Sequence, residues 1–303
     1  MAQNFITGVY PFQDDPAKSY SAYIPSNYNE DIPNTTIIAF HPFNTNRWDA
    51  ESWRDTLFTF AESVNAILIC PDGGADGKVD DAIDTAFTSF IFETMQGQYN
   101  IDKNQTYLCG FSWGGRAAYT YGLHRPNTFK GYLITGAAVN GTTEINNVLT
   151  NATQENFYLI HGANDNLNTR HTIISNALID NEACVESNIL TGVGHTIDYP
   201  NRNQILKDGF EFLVSNSCIL SSNDDLDTQA KLQVYPNPSQ GYIYIDSENA
   251  EFEVIQVLDT AGNKIGFTKT NGVFKLNKAI TGIYFLHFKD QDNNLQVKKI
   301  IVD

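Results

Sequence analysis

The run Gly110-Phe111-Ser112-Trp113-Gly114-Gly115 constrains this chain more than any other segment. It follows an apolar stretch, Thr106-Tyr107-Leu108-Cys109, and leads into a helical pattern that begins at Arg116-Ala117-Ala118. Glycines two residues before and two residues after a serine, between strand and helix, read as a bend where the two elements approach too closely for larger side chains. The bend projects the hydroxyl above the strand end and leaves the next backbone N–H aimed at an incoming oxyanion.

A nucleophilic serine needs a base and an acid, and both follow in the sequence. Asn156-Phe157-Tyr158-Leu159-Ile160 reads as a strand and runs into His161-Gly162-Ala163-Asn164-Asp165. Ser187-Asn188-Ile189-Leu190 reads as another and runs into Gly192-Val193-Gly194-His195-Thr196. Imidazole is required because a serine hydroxyl is not nucleophilic at neutral pH without an adjacent base. A carboxylate fixes the imidazole tautomer and supports the imidazolium that forms. Ser112, Asp165 and His195 are therefore the expected catalytic residues. Asp198, three residues beyond the base, competes with Asp165 as the acid. His41 and His161 end strands beside the site and read as packing or supporting residues, and no His–Cys cluster has metal-ligand spacing.

Counting strands gives the frame. Residues 6–10 and 20–24 alternate and suit an antiparallel start, whereas 35–40 and 66–70 are dense enough to be covered on both faces. With the stretch before Ser112, 131–135 and the two strands already named, eight strands are expected. Helical patterns fall at about 49–63, 79–97, 115–124, 169–180 and 202–216, with Pro126 and Pro200 as breaks. Alternating strands and helices predict a mostly parallel sheet with helices on both faces. The connection Ala137–Glu155 is short and polar, so no lid is expected over the site.

Residues 19–220 resemble the α/β-hydrolase esterase group that contains feruloyl and acetylxylan esterases and polyhydroxybutyrate-depolymerase-like esterases. The resemblance rests on the chain order Ser112, Asp165, His195, on Tyr23-Ile24-Pro25-Ser26-Asn27-Tyr28, on Pro71-Asp72-Gly73-Gly74 and on Gly192-Val193-Gly194-His195-Thr196. It implies hydrolysis of carboxylic esters through an acyl-enzyme, with no metal or organic cofactor. An oxyanion hole is expected from backbone N–H groups of Trp113 and of the loop Phe40-His41-Pro42-Phe43-Asn44. Pro42 has no N–H, which leaves Phe43 as the expected donor and Asn44 as the fallback. Trp48, Trp113 and Asn44 are the expected substrate-binding residues, while Trp53 reads as core. An uncapped site suits a bulky or polymeric ester. Two other readings stay open: a prolyl-oligopeptidase-like peptidase, which normally carries a propeller absent from this sequence, and a catalytically inactive surface glycan-binding protein.

A different pattern begins after residue 220. Residues 221–231 are polar and acidic and read as a linker. Beyond them come six short alternating strands, 232–235, 242–246, 252–258, 273–276, 283–288 and 297–302, as in a small all-β sandwich. Val234-Tyr235-Pro236-Asn237-Pro238-Ser239, Thr281-Gly282-Ile283-Tyr284-Phe285 and Lys298-Lys299-Ile300-Ile301-Val302 resemble a type IX secretion sorting domain of Bacteroidetes type. That resemblance implies export across the outer membrane by the secretion machinery, and a secreted or cell-surface protein. The expected organisation is a catalytic domain over 1–220, a linker over 221–231 and a sorting domain over 232–303.

Charge and cysteines narrow the rest. The net charge is −16, and so acidic a chain is a poor binder of nucleic acid or anionic membranes. No apolar span is long enough to cross a bilayer. The start, Met1–Phe5, carries neither a basic region nor an apolar core, so for an exported chain the expectation is that a signal peptide has been removed. Four cysteines allow three full pairings. The strands bearing Cys70 and Cys109 are expected to be separated by the third strand, which disfavours a bridge between them. Cys184 and Cys218 flank the last strand and the last helix, and a Cys184–Cys218 disulfide is plausible in an oxidising location. The acidic loop over residues 72–81 departs from EF-hand spacing and reads as a solvated loop rather than a calcium site.

Overall fold

The computed structural model describes residues 4–13, 15–43, 46–79, 82–215, 232–247, 252–259, 263–270, 273–277, 280–290 and 295–303. Asn44, Asp80, Asp81, Cys218 and the segment 221–231 lie outside these. Contacts divide the chain into two compact units, Met1–Leu220 and Ser221–Asp303.

In the first unit eight strands form one sheet: β1 (Phe5–Phe12), β2 (Asp15–Tyr23), β3 (Asn34–Phe40), β4 (Ile67–Pro71), β5 (Ile101–Phe111), β6 (Gly131–Thr135), β7 (Asn156–Gly162) and β8 (Cys184–Leu190). Their spatial order is β1-β2-β4-β3-β5-β6-β7-β8. The first two strands pair antiparallel, β2 is antiparallel to β4, and every later pairing is parallel. Five helices accompany the sheet: α1 (Ala50–Ser63), α2 (Ala82–Gln98), α3 (Trp113–Leu123), α4 (Ile173–Asp180) and α5 (Arg202–Val214).

The dense apolar strands are explained by the two cores they serve. On β3, Ile37 and Ala39 face one cluster and Ile38 and Phe40 the other. The same alternation sends Tyr158 and Ile160 of β7 to the first and Phe157 and Leu159 to the second. Each of the isoleucine, leucine and phenylalanine side chains gains about 1.5–3 kcal/mol by leaving water, and a one-residue register slip would exchange the contents of both cores. Entry into α1 is fixed by a capping box: Asp49 accepts from the Ser52 N–H at 2.8 Å and Ser52 Oγ accepts from the Asp49 N–H at 2.9 Å. That arrangement contributes about 1 kcal/mol.

The segment between β6 and β7 does not rise over the sheet edge. Ile145, Val148 and Ala152 are buried in the second core, which holds it down as a packed loop. The first unit has no lid built from it.

The second unit holds a four-stranded sheet, in the order β12-β13-β10-β9, and a three-stranded sheet, β11-β14-β15. These are β9 (Leu232–Tyr235), β10 (Tyr242–Ser247), β11 (Phe252–Asp259), β12 (Phe267–Thr270), β13 (Val273–Leu276), β14 (Gly282–Asp290) and β15 (Leu295–Val302). All named pairings are antiparallel. The sequence reading missed β12, because only Phe267 of its four residues is even partly buried and so no alternation shows. The Pro-Asn-Pro segment and the C-terminal strand meet in space. Asn237 donates to the Lys299 carbonyl at 3.1 Å and accepts from the Ile301 N–H at 2.8 Å.

Candidate active site

Ser112 lies between β5 and α3 with φ 56° and ψ −118°, a backbone that a non-glycine residue keeps only where its surroundings enforce it. The glycines show what enforces it. A Cβ on Gly110 would collide with the Gly114 carbonyl, and one on Gly114 would collide with the Phe40 carbonyl at the end of β3. The backbone of Ser112 is committed to the fold. Its N–H donates to the Thr135 carbonyl at 3.1 Å, and its carbonyl accepts from Arg116 and Ala138 at 3.1 and 2.8 Å.

The side chain faces His195. Ser112 Oγ lies 2.7 Å from His195 Nε2, and His195 Nδ1 lies 2.6 Å from Asp165 Oδ2. A carboxylate only accepts, so Nδ1 carries the proton and Nε2 is the acceptor for the serine O–H. The structure thus brings together Ser112, Asp165 and His195. Asp198, the competing acid, instead pairs with Arg47 at 2.5 Å and Arg202 at 3.6 Å on the surface.

Asp165 is buried, and a buried carboxylate stays ionised only if it is paired. Sequence reading missed the residue that completes the pairing. Arg170 Nη1 donates to Asp165 Oδ1 at 2.8 Å. The same nitrogen lies 3.1 Å from His195 Nδ1, but both atoms are donors and both aim at the carboxylate, so that approach is not a hydrogen bond. Arg170 sits in a π-helical turn, Asn168–Thr172, that leads into α4; the widened turn is a local irregularity of the kind often found at functional sites. A lone arginine five residues after the acid gives no periodic signal, which is why the sequence did not reveal it.

Behind the acid stand two histidines. His161 Nε2 donates to the Asp165 carbonyl at 2.7 Å, which anchors the acid's loop to the end of β7. The His171 ring stacks on His161 with centroids 5.5 Å apart. Burial first, and His161 second, push the His171 imidazole down to about 4, so it is neutral at ordinary pH. The backing is nearly solid: the cavity bounded by Gly136, His161, Arg170 and His171 measures ≈ 10 Å³, about the space of one water.

The loop after β3 is tied down by His41, which is buried. The Gly73 N–H donates to His41 Nε2 at 3.0 Å. Nδ1 therefore carries the proton and donates to the Pro42 carbonyl at 3.0 Å. Phe43 follows, exposed, with its ring 6.0 Å from that of Trp113. Trp113 is the first residue of α3, where helix N–H groups point back toward the nucleophile. These two residues stand at the rim of the site. Trp48 does not: it is 8% exposed, packs edge-on against Trp53 at 5.5 Å and has the Arg47 guanidinium 4.1 Å over its ring. A ring so covered is core, which corrects its reading as a substrate contact. Asn44 lies outside the described residues.

Cys184 is disulfide-bonded, Cys70 and Cys109 are free and buried, and Cys218 lies outside the described residues. In the acidic loop, Asp72 accepts from the Ala50 and Gly74 N–H groups and Asp76 from the Lys78 N–H. Among the described residues no cluster of His, Cys, Asp or Glu is arranged to hold a metal ion, and no helix is long and apolar enough to cross a membrane.

Comparison with solved structures settles the architecture. A ferulic acid esterase superposes with a TM-score of 0.56 at 15% identity, over 70% of this chain and 98% of that one. An S-formylglutathione hydrolase from Staphylococcus aureus gives 0.57 at 13%, over 69% and 98%. The first unit has the α/β-hydrolase fold. Residues 75–208 of this unit match the phospholipase/carboxylesterase family model, and residues 233–303 match the secretion system C-terminal sorting domain, which marks the chain for export. Feruloyl esterase D of Neurospora crassa is 26% identical over 161 residues, 49% of this chain and 53% of that protein. A probable feruloyl esterase C of Aspergillus flavus is 28% identical over 144 residues, 45% of this chain and 52% of that protein. The matched region thus spans about half the length of these curated relatives.

Proposed function

We propose that this protein is an exported serine carboxylesterase that cleaves carboxylic esters through an acyl-enzyme. The observation that carries the reading is the continuous relay from Ser112 Oγ through His195 to a buried, paired Asp165. His195 takes the Ser112 proton as the oxygen attacks the ester carbonyl. Asp165, paired with Arg170, holds the imidazole in the required tautomer and supports its positive charge. The alcohol leaves with the proton from His195, which then activates water to release the acid. Phe43 and Trp113 N–H groups take the tetrahedral oxyanion; each such donor is worth about 10²–10³ in kcat.

For the substrate, we favour acyl groups attached to polysaccharide, feruloyl or acetyl, or polyester chains. The names of the relatives support the first, and the packed-down segment between β6 and β7 supports a large ester, because nothing built from it closes over Ser112. The sorting domain supports a site of action outside the cell, with the secretion machinery as its partner. The two catalytic-unit cysteines near its end, Cys184 and Cys218, are proposed as a structural clip suited to that oxidising location.

The test is hydrolysis of p-nitrophenyl butyrate and methyl ferulate by the parent and by Ser112→Ala. Turnover that falls by about 10⁴-fold or more in the variant supports the reading. Absence of turnover by the parent on both, with Ser112 also inert to a fluorophosphonate, contradicts it and favours a binding protein.

A further inference from the structure

The rim of the site carries charge opposite to that of its surroundings. Residues 1–220 contain 24 Asp+Glu against 11 Lys+Arg, yet the groups gathered on the rim rings are cations. Lys78 Nζ lies 5.0 Å from the Trp113 ring centroid and 5.3 Å from that of Phe43. The Arg116 guanidinium lies 4.8 Å from the Trp113 ring. Phe43 and Trp113 are the residues whose backbones are proposed to hold the oxyanion, so both cations lie against the side chains of the residues that flank it.

Lys78 is placed there by the fold rather than left on a loose loop. Gly73 packs so closely on the Lys78 backbone that a Cβ would strike its carbonyl. Gly73 is in turn bonded to His41, and the Lys78 N–H donates to Asp76 at 3.0 Å. The ammonium makes no ion pair with another described residue. Arg116 meets Glu144 only at 3.8 Å, with the arginine partly exposed. Among the described residues, Asp165 is committed to Arg170 and His195, Asp72 and Asp76 to backbone N–H groups, and Glu144 also accepts from the Asn140 N–H. An acidic protein repels anionic ligands at long range, and a local cationic flank offsets that repulsion where it is focused.

We propose that Lys78 and Arg116 form an anion-binding flank that selects esters carrying a carboxylate close to the scissile bond. The inference rests on the esterase reading above and names the class of substrate for the same site. The carboxylate belongs to the acyl part, as in a dicarboxylic hemiester, or to the alcohol part, as in an acidic saccharide or aromatic acid, and the two are separated by the probes.

The experiment compares kcat/KM for mono-p-nitrophenyl glutarate with p-nitrophenyl butyrate (acyl side), and for 4-acetoxybenzoate with phenyl acetate (alcohol side). The parent is set against Lys78→Met, Lys78→Arg and Arg116→Met at low salt and in 0.5 M sodium chloride. Lys78→Met should lower the anionic-to-neutral ratio of one pair about fivefold, the scale of a single partly exposed charge contact. Lys78→Arg should retain that ratio, and salt should erode it in the parent. The pair that responds identifies the carboxylate's side. Ratios unchanged in both methionine variants, while neutral-ester turnover remains dependent on Ser112, overturn the proposal and leave the esterase intact. Loss of the ratio in Lys78→Arg as well as Lys78→Met also overturns it, because shape rather than charge is then responsible. If the parent hydrolyses neither neutral ester, the esterase reading itself has failed.

Discussion

The two units handle buried polarity in opposite ways. Among the described residues, the first unit buries Lys18, His41, Arg54, Asp84, Glu155, His161, Asp165 and His171, whereas the only buried polar side chain of the second unit is Ser239. The second unit instead shows plain alternation: Tyr284, Leu286 and Phe288 of β14 are buried while the residues between them are only partly so. Burying a charge costs several kcal/mol unless it is paired. The first unit bears part of that cost at its site, where Asp165 is held by Arg170 and His195, and part elsewhere, as in the Lys18–Asp84 pair. The second carries its apolar side chains in one small core.

The largest effect is expected where buried polarity is tied to chemistry. Asp165→Asn keeps the shape of the acid but removes its charge and favours the wrong His195 tautomer. Its kcat on p-nitrophenyl butyrate should fall about 10⁴-fold. A fall of less than tenfold would mean that Asp165 is merely structural and that the contrast between the units has no functional meaning.

In the second unit a substitution should change stability alone. Ile243 is fully buried in its core, so Ile243→Ala should destabilise that unit by about 2–5 kcal/mol. Calorimetry should show one transition moving to lower temperature while kcat/KM on the same ester stays constant. Esterase activity that falls with it would show that the units are coupled.

The smallest effect concerns a buried carboxylate away from the triad. Burial pushes the Glu155 carboxyl up to about 7, with the hydrogen bond from the Asn127 N–H opposing the shift. A carboxyl raised above its unfolded value favours the folded state while protonated. That contribution is fully present below about pH 4.5 and is lost as the pH rises through about 7. Glu155→Gln should flatten this part of the stability profile, by no more than about 3 kcal/mol. An unchanged slope between those pH values would show that the carboxylate is already well solvated.

What was legible in the sequence follows the same division. Glycine spacing around Ser112 reports a backbone collision, and dense versus alternating strands report burial on two faces or one, so the elbow and the eight-stranded sheet could be read directly. The order of Ser112, Asp165 and His195 at strand ends is likewise a property of the chain. Contacts between elements were not legible. The bond from Gly73 to His41 spans 32 residues, Arg170 reaches Asp165 only because of a widened turn, and Trp48 is removed from the rim by packing on Trp53. Side-chain type suggested substrate contact for Trp48, but burial is decided by what packs over a ring, which the local sequence does not record. The edge strand β12 escaped for the opposite reason, since an exposed strand has no apolar pattern to display.

The central claim is that Ser112 is the nucleophile of an acyl-enzyme. The most direct measurement is to label the protein with a fluorophosphonate and locate the adduct by peptide mass mapping, alongside p-nitrophenyl butyrate turnover. The account predicts stoichiometric modification at Ser112, matching loss of activity, and no labelling of Ser112→Ala or His195→Ala. Persistent turnover with Ser112 unmodified, or an adduct on another residue that tracks the loss of activity, would contradict it.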